Sequence, residues 1–481
     1  MKFLLRPITV AIALYVGSAA SQADTLADIY ELALRSDARL QAAEATYRAN
    51  VENEKQAFSA LLPQISATAE YSESDSSVFS DQTFIFDGTV VPSTSGDDSD
   101  SDTTTYSLQL TQTLFDLSSW FDFKRGKEIT KQAAAQLAFD QQDVIVRVAE
   151  AYFDVLRALD NLEASKAEER ATKRQLEQTQ QRFDVGLIAI TDVHEAKAVY
   201  DTTVVQRLTD EGRLGTSYES LTVLTGQQHS NLWLLNKDFP VTDPDPMDRN
   251  EWVTFSLQNN NALKAATYGM EAARQYATAR KMAHAPTVSG SFNYSDYSQD
   301  GEKVGHLREL PNYGVARPFE SESDGYTIGV RLTVPLYSGG RVSAQRRQAY
   351  EQYNIALQQK IETERTVIRN ARASHITVTN DVKRINARQQ AIISTSSALG
   401  ATEAGYEVGT RNIVEVLQAQ RTLYSSIRDY ANSRYDYVIN MLELRQSAGM
   451  LNPQDIYDIN KWIINPDSPD ASQYKEYLEQ K

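Results

Sequence analysis

The sequence predicts a mixed α and β protein made of two similar halves, each with one strand pair and one long helical hairpin. The first observation is an internal repeat of about 223 residues (406 − 183), carried by Phe183-Asp184-Val185-Gly186-Leu187 and Tyr406-Glu407-Val408-Gly409-Thr410. The second is a seam of alternating four- and three-residue steps from Val144 to Phe183, typical of a coiled coil, with many small or polar positions that indicate close helix packing. The third is an alternation of apolar with small or polar residues in short segments before the long helices. This period of two indicates strands with one apolar and one polar face.

The composition excludes several classes of function. The chain has 481 residues, a formal net charge of −16 and no cysteine. Without cysteine there are no disulfides and no thiolate chemistry. A strongly negative chain is repelled by nucleic acid, so we expect no nucleic-acid partner.

Residues 1–23 have the three-part pattern of a cleaved secretory signal. A basic start at Lys2 and Arg6 precedes an apolar run over 8–16, and cleavage is expected after Ala23. The apolar run is too short to span a bilayer, and no later stretch reaches the roughly 18 apolar residues of a membrane helix. Cleavage removes two positive charges and leaves a net charge of −18 (−16 − 2).

The first half, residues 24–227, begins with a predicted helix over 25–60 that Pro63 ends. Alternation then predicts a strand from Gln64 to Tyr71 and a second strand from Tyr106 to Leu114. The connection between them is dense in Ser, Thr and Asp, so we expect a solvated, mobile loop.

A long helix is predicted over 118–184, and at 1.5 Å per residue it would reach roughly 100 Å. The left-handed conformation open to Gly186 ends it at a hairpin tip, and a return helix follows over 191–225. Residues 228–250 form an equatorial break between the halves, marked by three prolines: Pro240, Pro244 and Pro246.

The second half, residues 251–449, repeats this plan, since Pro286 lies 223 residues after Pro63 (286 − 63). Its predicted parts are a helix over 251–284, a strand over 288–295, a polar loop over 298–324, a strand over 326–336, a helix over 341–405, a tip at Gly409 and a return helix ending near Gly449. Residues 450–481 are predicted to be an irregular, polar equatorial tail.

Each predicted strand is apolar on one face and small or polar on the other. A sheet packed on a soluble core is the alternative, but the neighbouring helices are too long and too polar to supply that core. An apolar face against lipid requires a closed barrel, and four strands are too few because known barrels begin at about eight. Two chains would supply 4 × 2 = 8 strands and three chains 4 × 3 = 12. Periodicity alone does not distinguish a dimer from a trimer.

The plan and several motifs resemble the TolC family of outer-membrane export channels. The motifs are Leu61-Leu62-Pro63-Gln64, Leu108-Gln109-Leu110-Thr111-Gln112, Ala151-Tyr152-Phe153-Asp154-Val155-Leu156, Thr179-Gln180-Gln181-Arg182-Phe183, Ala189-Ile190-Thr191-Asp192-Val193, Gly405-Tyr406 and Val408-Gly409-Thr410-Arg411. The resemblance implies a homotrimer in the outer membrane of a Gram-negative bacterium, with a 12-stranded barrel in lipid and an α-helical periplasmic tunnel. It also implies docking to a periplasmic adaptor (membrane fusion protein) and an inner-membrane RND, MFS or ABC transporter, in efflux or type I secretion.

The resemblance assigns roles to three sets of tip residues. Links that close the inner end of the tunnel fall on Thr191, Asp192, Tyr406 and Arg411. A constriction ring falls on Glu415 and on Gln418, where the family usually has an aspartate. The surface that meets the adaptor is expected at Val185, Gly186, Leu187, Val408, Gly409 and Thr410.

No enzyme, metal site or cofactor is expected. The five histidines are scattered without metal-ligand spacing, and no phosphate-binding glycine loop or catalytic triad pattern is present. The remaining alternative is an exported coiled-coil scaffold or adaptor without a pore, which would not need four lipid-facing strands.

Overall fold

The computed structural model describes residues 24–307, 310–466 and 468, so the predicted signal segment and the end of the tail lie outside it. The helices are α1 (Leu26–Ser36), α2 (Ala38–Ser59), α3 (Leu117–Asp184), α4 (Ile190–Thr225), α5 (Arg249–Asn259), α6 (Asn261–Met282), α7 (Arg341–Glu407), α8 (Ile413–Ser447) and α9 (Pro453–Asn460). The strands are β1 (Gln64–Phe86), β2 (Thr89–Phe115), β3 (Leu234–Leu235), β4 (Thr287–Leu307), β5 (Leu310–Thr333) and β6 (Ile463–Ile464). None of the helices in these described ranges has the length and apolar character needed to cross a lipid bilayer.

The chain divides into two compact units. The first contains residues 24–46, 135–264 and the described residues from 362 onward, and the second contains 47–134 and 265–361. The first unit holds an apolar core around Tyr152, Phe153 and Tyr435. The rings of Phe153 and Tyr435 stack with centroids 5.7 Å apart. The Tyr152 hydroxyl donates to the carbonyl of Trp233 at 2.7 Å, so this buried hydroxyl is satisfied.

The two long helical hairpins, α3–α4 and α7–α8, are confirmed close to their predicted bounds. In the first hairpin the predicted small and polar seam positions make hydrogen bonds to the return helix. The Thr172 hydroxyl lies 2.9 Å from the Thr203 hydroxyl, and Ser165 donates to buried Asp210. Small side chains let the two helices approach closely. Their hydroxyl groups are buried between the helices, and these hydrogen bonds satisfy them there.

The predicted continuous helices over 25–60 and 251–284 are wrong, because both are broken at repeat-related positions. Asp37 separates α1 from α2, and Asn260, 223 residues later (260 − 37), separates α5 from α6. Each residue has an extended ψ, 110° at Asp37 and 121° at Asn260, and each accepts a backbone N–H of the next helix through its side chain. Asp and Asn favour this N-cap role, which competes with a helix running through them.

The second unit contains an antiparallel sheet with strand order β1-β2-β4-β5. Its register places apolar side chains in rows on one face, and one such row is Ile65, Leu110, Phe292 and Ile328. The adjacent row, on the opposite face, is Ser66, Gln109, Asn293 and Thr327. The two-faced strands are therefore confirmed, and the apolar face is uncovered, since Ile65 is 67% and Ile328 is 71% exposed.

The sheet is open at both sides within the described part of this chain, because β1 and β5 each pair along one edge only. An edge strand carries a row of unpaired N–H and C=O groups, which in lipid cost several kcal/mol each. The four strands of this one chain therefore do not form a complete structure for spanning lipid.

The predicted polar loops between the strands are wrong, since β1 and β2 continue as one ribbon and β4 and β5 extend to residues 307 and 310. Cross-strand side-chain bonds support the first ribbon, including Thr68 to Ser107 at 2.6 Å and Tyr71 to Asp102 at 2.9 Å. Its turn is Asp87-Gly88, with φ of 48° and 79°, the two positive angles of a type I′ hairpin. Main-chain pairing does not need an apolar face, so a polar composition did not exclude strands here.

The prediction of an irregular tail after residue 450 is also wrong for its described part. Asn452 caps α9, Pro453 occupies its first turn, and Asp455 completes a capping box. β6 then pairs with β3 through Leu234–Ile464 and Leu235–Ile463. The segment between the halves and the tail thus share a small two-stranded sheet.

Ile328→Lys should weaken the assembled protein by about 2 to 4 kcal/mol if the apolar face meets lipid. A membrane strand needs about 9–11 residues, so a span counted back from Thr333 places Ile328 near its middle. Thr327→Lys adds the same charge to the polar face and is the matched control. Denaturant unfolding in lipid vesicles measures both, and equal loss in the two variants would contradict a lipid-facing row.

Candidate gate at the hairpin tips

Both hairpin tips end their outgoing helix with the same hydrogen-bond pattern. Gly186 has φ of 76° and donates to the Phe183 carbonyl at 2.8 Å, while Leu187 donates to the Arg182 carbonyl at 2.9 Å. Gly409, with φ of 79°, and Thr410 repeat this pattern at the second tip. This is the Schellman ending, which favours glycine because a Cβ is strained at positive φ. The predicted glycine turns are confirmed.

The two tips differ in how the return helix begins. The Asn412 side chain accepts the N–H of Glu415 at 2.9 Å, whereas the equivalent residue Ala189 offers no side-chain cap. An Asn cap in place of Ala stabilises a helix start by about 1 kcal/mol. The α8 start is therefore held more firmly than the α4 start, a difference visible in the sequence as Asn412 followed by Glu415 three positions later.

The structure pairs the predicted gate residues differently from the expected links. The Thr191 hydroxyl contacts Asp192 at 3.3 Å, and Arg411 binds Glu415 at 2.5 Å along the first turn of α8. Within the described residues of this single chain, Asp192 makes no bond to Tyr406 or Arg411. The roles assigned to these residues remain predictions.

Tyr406 contacts the other hairpin through its ring. The Arg182 guanidinium lies 4.7 Å from the ring centroid, so α3 and α7 meet near their tips through a cation–π contact. The Tyr406 hydroxyl is buried without a hydrogen-bond partner in the described part of the chain. An unsatisfied buried hydroxyl is costly, which makes this atom available for a further link.

Glu415 and Gln418, the predicted constriction residues, lie one helical turn apart on α8. The Glu415 side chain is 37% exposed and its charge is compensated by Arg411, which is 59% exposed. Gln418 is exposed on the same side of the helix. Each chain therefore presents the Glu415 carboxylate and the Gln418 amide on this face of α8, and the carboxylate is paired with the Arg411 guanidinium.

Sequence reasoning missed a charged link between the hairpins farther from the tips. Arg428 of α8 donates to Glu168 of α3 at 2.9 Å, and their side chains are only 21% and 9% exposed. Near it, the Tyr435 hydroxyl donates to buried Asp160 at 2.6 Å. Arg428 and Glu168 are 260 positions apart, and no pattern in one sequence joins residues at that separation.

A further polar cluster lies beside this contact. Arg157 of α3 donates to Asp436 of α8 at 2.8 Å, and Asp381 of α7 accepts from Asn440 at 2.7 Å and from Arg384. Burial raises the pKa of Asp381 above its usual range, although the bonds from Asn440 and Arg384 oppose the shift. The hairpins thus meet through polar groups as well as through the apolar core.

The tips themselves expose apolar side chains to solvent. Val185 is 71%, Leu187 70% and Val408 76% exposed. Isolated exposed apolar residues are ordinary, but three at two equivalent turns form a repeated surface feature.

An exposed two-faced sheet with open edges, joined in one chain to two helical hairpins that are linked by polar contacts, defines the class of outer-membrane channels with a helical periplasmic part. The model of the outer membrane efflux protein family matches residues 29–227 and 252–450. The chain belongs to this family. The two matched segments begin 223 residues apart (252 − 29), which confirms the internal repeat.

Individual relatives agree with this assignment. Outer membrane protein TolC of Vibrio cholerae is 38% identical over 462 residues, which is 96% of this chain and 98% of the relative. Proteases secretion protein PrtF of Dickeya chrysanthemi is 29% identical over 473 residues, with 95% and 94% covered. The solved structure of outer membrane protein VceC from Vibrio cholerae has a TM-score of 0.69 at 20% identity and covers 88% of this chain and 96% of that one.

The protein is therefore an outer-membrane efflux channel of a Gram-negative bacterium, with its helical part in the periplasm. Its family consists of transport proteins and not of enzymes. The alternative of a periplasmic scaffold without a pore has no support in the fold or in these relatives.

Proposed function

We propose that three copies of the chain form one passive exit duct across the outer membrane, with a 12-stranded barrel continued by a helical tunnel. The observation that carries this proposal is the open sheet, whose apolar face and two free edges need partner strands. Three chains would give 4 × 3 = 12 strands, and a wide barrel suits a water-filled bore. Heat-modifiable migration of the purified protein, with single-channel recording in planar bilayers, tests it. A monomer that passes no ions would refute it.

We propose that the tunnel is closed at its tips by polar links between hairpins and between neighbouring chains. The Tyr406 hydroxyl, which has no hydrogen-bond partner among the described residues, and the carboxylate of Asp192 are complementary groups for such a link. Arg411 donates to Glu415 in this chain. Its guanidinium has further N–H donors, from which a second carboxylate can accept hydrogen bonds. Several exposed links of about 1 kcal/mol each hold a shut state that a docking partner can still open.

Asp192→Ala and Arg411→Ser should each raise the open probability about fivefold, since removing a link of about 1 kcal/mol shifts the balance by that factor. Single-channel recording of the reconstituted protein measures the change. Asp201→Ala and Arg213→Ser, at exposed positions on α4, remove the same charges away from the tip and are the matched controls. Unchanged opening in both tip variants would remove these residues from the gate.

We propose that a periplasmic adaptor meets the tips at Val185, Leu187 and Val408, together with Gly186, Gly409 and Thr410. The support is the repeated exposure of apolar side chains at both turns. The adaptor would connect the duct to an inner-membrane transporter of the RND, MFS or ABC type.

We propose efflux and protein secretion as the two classes of transport served, following the family name and the relative named for protease secretion. Deleting the chromosomal copy and complementing it with the wild type separates them. Increased susceptibility to antimicrobial compounds supports efflux, and loss of an extracellular protein supports secretion. A deletion strain unaffected in both would contradict the proposal.

A further inference from the structure

A surface groove lies between α6 and α7, within the second unit, and encloses about 500 Å³. We call it the basic groove and define it by Arg274, Lys281, Arg346, Arg347 and Tyr350. All five side chains are exposed. Glu351 is the one acidic residue in its lining, and its carboxylate already accepts from Asn354 at 3.0 Å.

The positive charge of the basic groove is largely uncompensated. Arg274 forms an ion pair with Glu271 at 2.6 Å. Across the described part of the chain, Lys281, Arg346 and Arg347 make no ion pair. Three such cations side by side repel one another, and they are concentrated here although the whole chain carries a net charge of −16. This arrangement favours a bound anion.

The groove lies close to the sheet that we place in lipid. Lys281 is one residue from the end of α6, and β4 begins at Thr287. Arg346 and Arg347 lie about 8 and about 9 Å along α7 from its first residue, Arg341, at 1.5 Å per residue. The headgroup layer adds roughly 5 to 8 Å to each side of the hydrocarbon core, and Lys and Arg extend their charged ends toward such a layer.

The equivalent positions in the first repeat support this depth independently. Phe58, 223 residues before Lys281 (281 − 223), and Phe123, 223 before Arg346 (346 − 223), have ring centroids 5.2 Å apart. Trp120 is 44% exposed, and the Lys124 ammonium lies 5.0 Å from the ring of Phe121. Exposed aromatic rings mixed with lysine are typical of membrane interfaces. The first repeat therefore presents an aromatic anchor where the second presents the basic groove.

We propose that the basic groove binds the phosphate of an anionic phospholipid headgroup in the leaflet next to the periplasm. Arg346 and Arg347 can each hold two phosphate oxygens, and Lys281 adds a point charge. The Tyr350 hydroxyl can donate to a headgroup oxygen. A zwitterionic headgroup brings its own cation, which these three side chains repel, so the groove selects lipids of net negative charge.

The test uses the purified full-length protein mixed with vesicles of equal parts phosphatidylglycerol and phosphatidylcholine, then extracted in mild detergent. Mass spectrometry counts the lipids that remain bound. The wild type should retain at least about ten times more phosphatidylglycerol, because each basic side chain near an anionic surface contributes appreciably to binding. The variant Lys281→Gln/Arg346→Gln/Arg347→Gln should retain the two lipids about equally.

The matched control Lys197→Gln/Arg213→Gln/Lys461→Gln removes the same charge from exposed positions of the first unit and should keep the wild-type ratio. If the triple groove variant does not assemble, Arg347→Gln alone should lower the ratio about threefold. Equal retention by the wild type, or an unchanged ratio in the groove variants, overturns the proposal. So does complete displacement by inorganic phosphate but not by chloride at equal ionic strength, since the groove would then take free phosphate. Single-channel conductance is measured on every variant and should be unaltered. A failure of lipid binding can then be distinguished from a failure of the proposed duct.

Discussion

Glu415→Ala is expected to remove most of the block of this channel by a trivalent cation. In the proposed trimer three Glu415 carboxylates face one axis, while Gln418, one turn away, adds no charge. Even in water, two unit charges about 7 Å apart interact by about 0.6 kcal/mol, and a trivalent ion facing three carboxylates multiplies that value. We expect the blocking concentration to rise at least about tenfold, measured by single-channel recording from the periplasmic side.

The structure adds a second arm to this experiment. Arg411 lies 2.5 Å from Glu415, so it offsets part of the negative potential of the ring. Arg411→Ser should therefore strengthen cation block as well as promote opening, whereas Asp192→Ala should promote opening alone. Gln418→Asp should strengthen block by adding a second charged ring.

Glu407→Ala is the control, because it removes an exposed carboxylate at the same tip but from the end of α7. Equal block in the wild type and in Glu415→Ala would remove Glu415 from the constriction. Equal weakening by Glu407→Ala and Glu415→Ala would show a diffuse surface potential in place of a ring.

The parts of this fold that the sequence predicts are those governed by local periodicity. The turns at Gly186 and Gly409 follow from a helix pattern that stops at a glycine, and the repeat makes each turn support the other. The faces of the strands follow from a period of two, and the row from Ile65 to Ile328 confirms them. Such signals belong to a few neighbouring residues, so one sequence contains them completely.

The errors arose where other forces decide the structure. The ribbon beyond Tyr71 is rich in Ser, Thr and Asp and has no sustained apolar alternation, although Val78, Phe79 and Ile85 lie within it. Its strands are joined by main-chain pairing, which hydrophobic periodicity does not detect. Asp87-Gly88 was the signal for its turn. Asp37 and Asn260 interrupt helices because their side chains cap the helix that follows. The helical periodicity of the sequence continues across both positions and does not reveal the break. At the candidate gate, the glycine turns were predictable, but the bond from Arg428 to Glu168 depends on how two distant hairpins pack.

That bond yields the second large effect. Arg428→Met should raise the open probability of the channel about 30-fold, because Glu168 would be left as a nearly buried charge without its partner. Breaking a buried pair by removing one side costs about 3 to 5 kcal/mol, and we expect about 2 here because Arg428 keeps 21% of its surface exposed. The cost is relieved if the hairpins separate and Glu168 reaches water. The destabilised state is thus the closed one.

Two further variants decide whether the effect belongs to the gate or to stability alone. Glu168→Gln/Arg428→Met removes the uncompensated charge and should return most of the way to wild-type opening, which a double-mutant cycle measures as coupling. Arg207→Met breaks a somewhat more exposed pair, Arg207 to Glu169 at 2.6 Å, together with the bond from Arg207 to Glu211. These contacts lie within α3 and α4, inside one hairpin. The variant should lower the thermal stability without promoting opening. If Arg207→Met opened the channel as much as Arg428→Met, opening would reflect general loosening of the helices, and the link between hairpins would have no special part in closure.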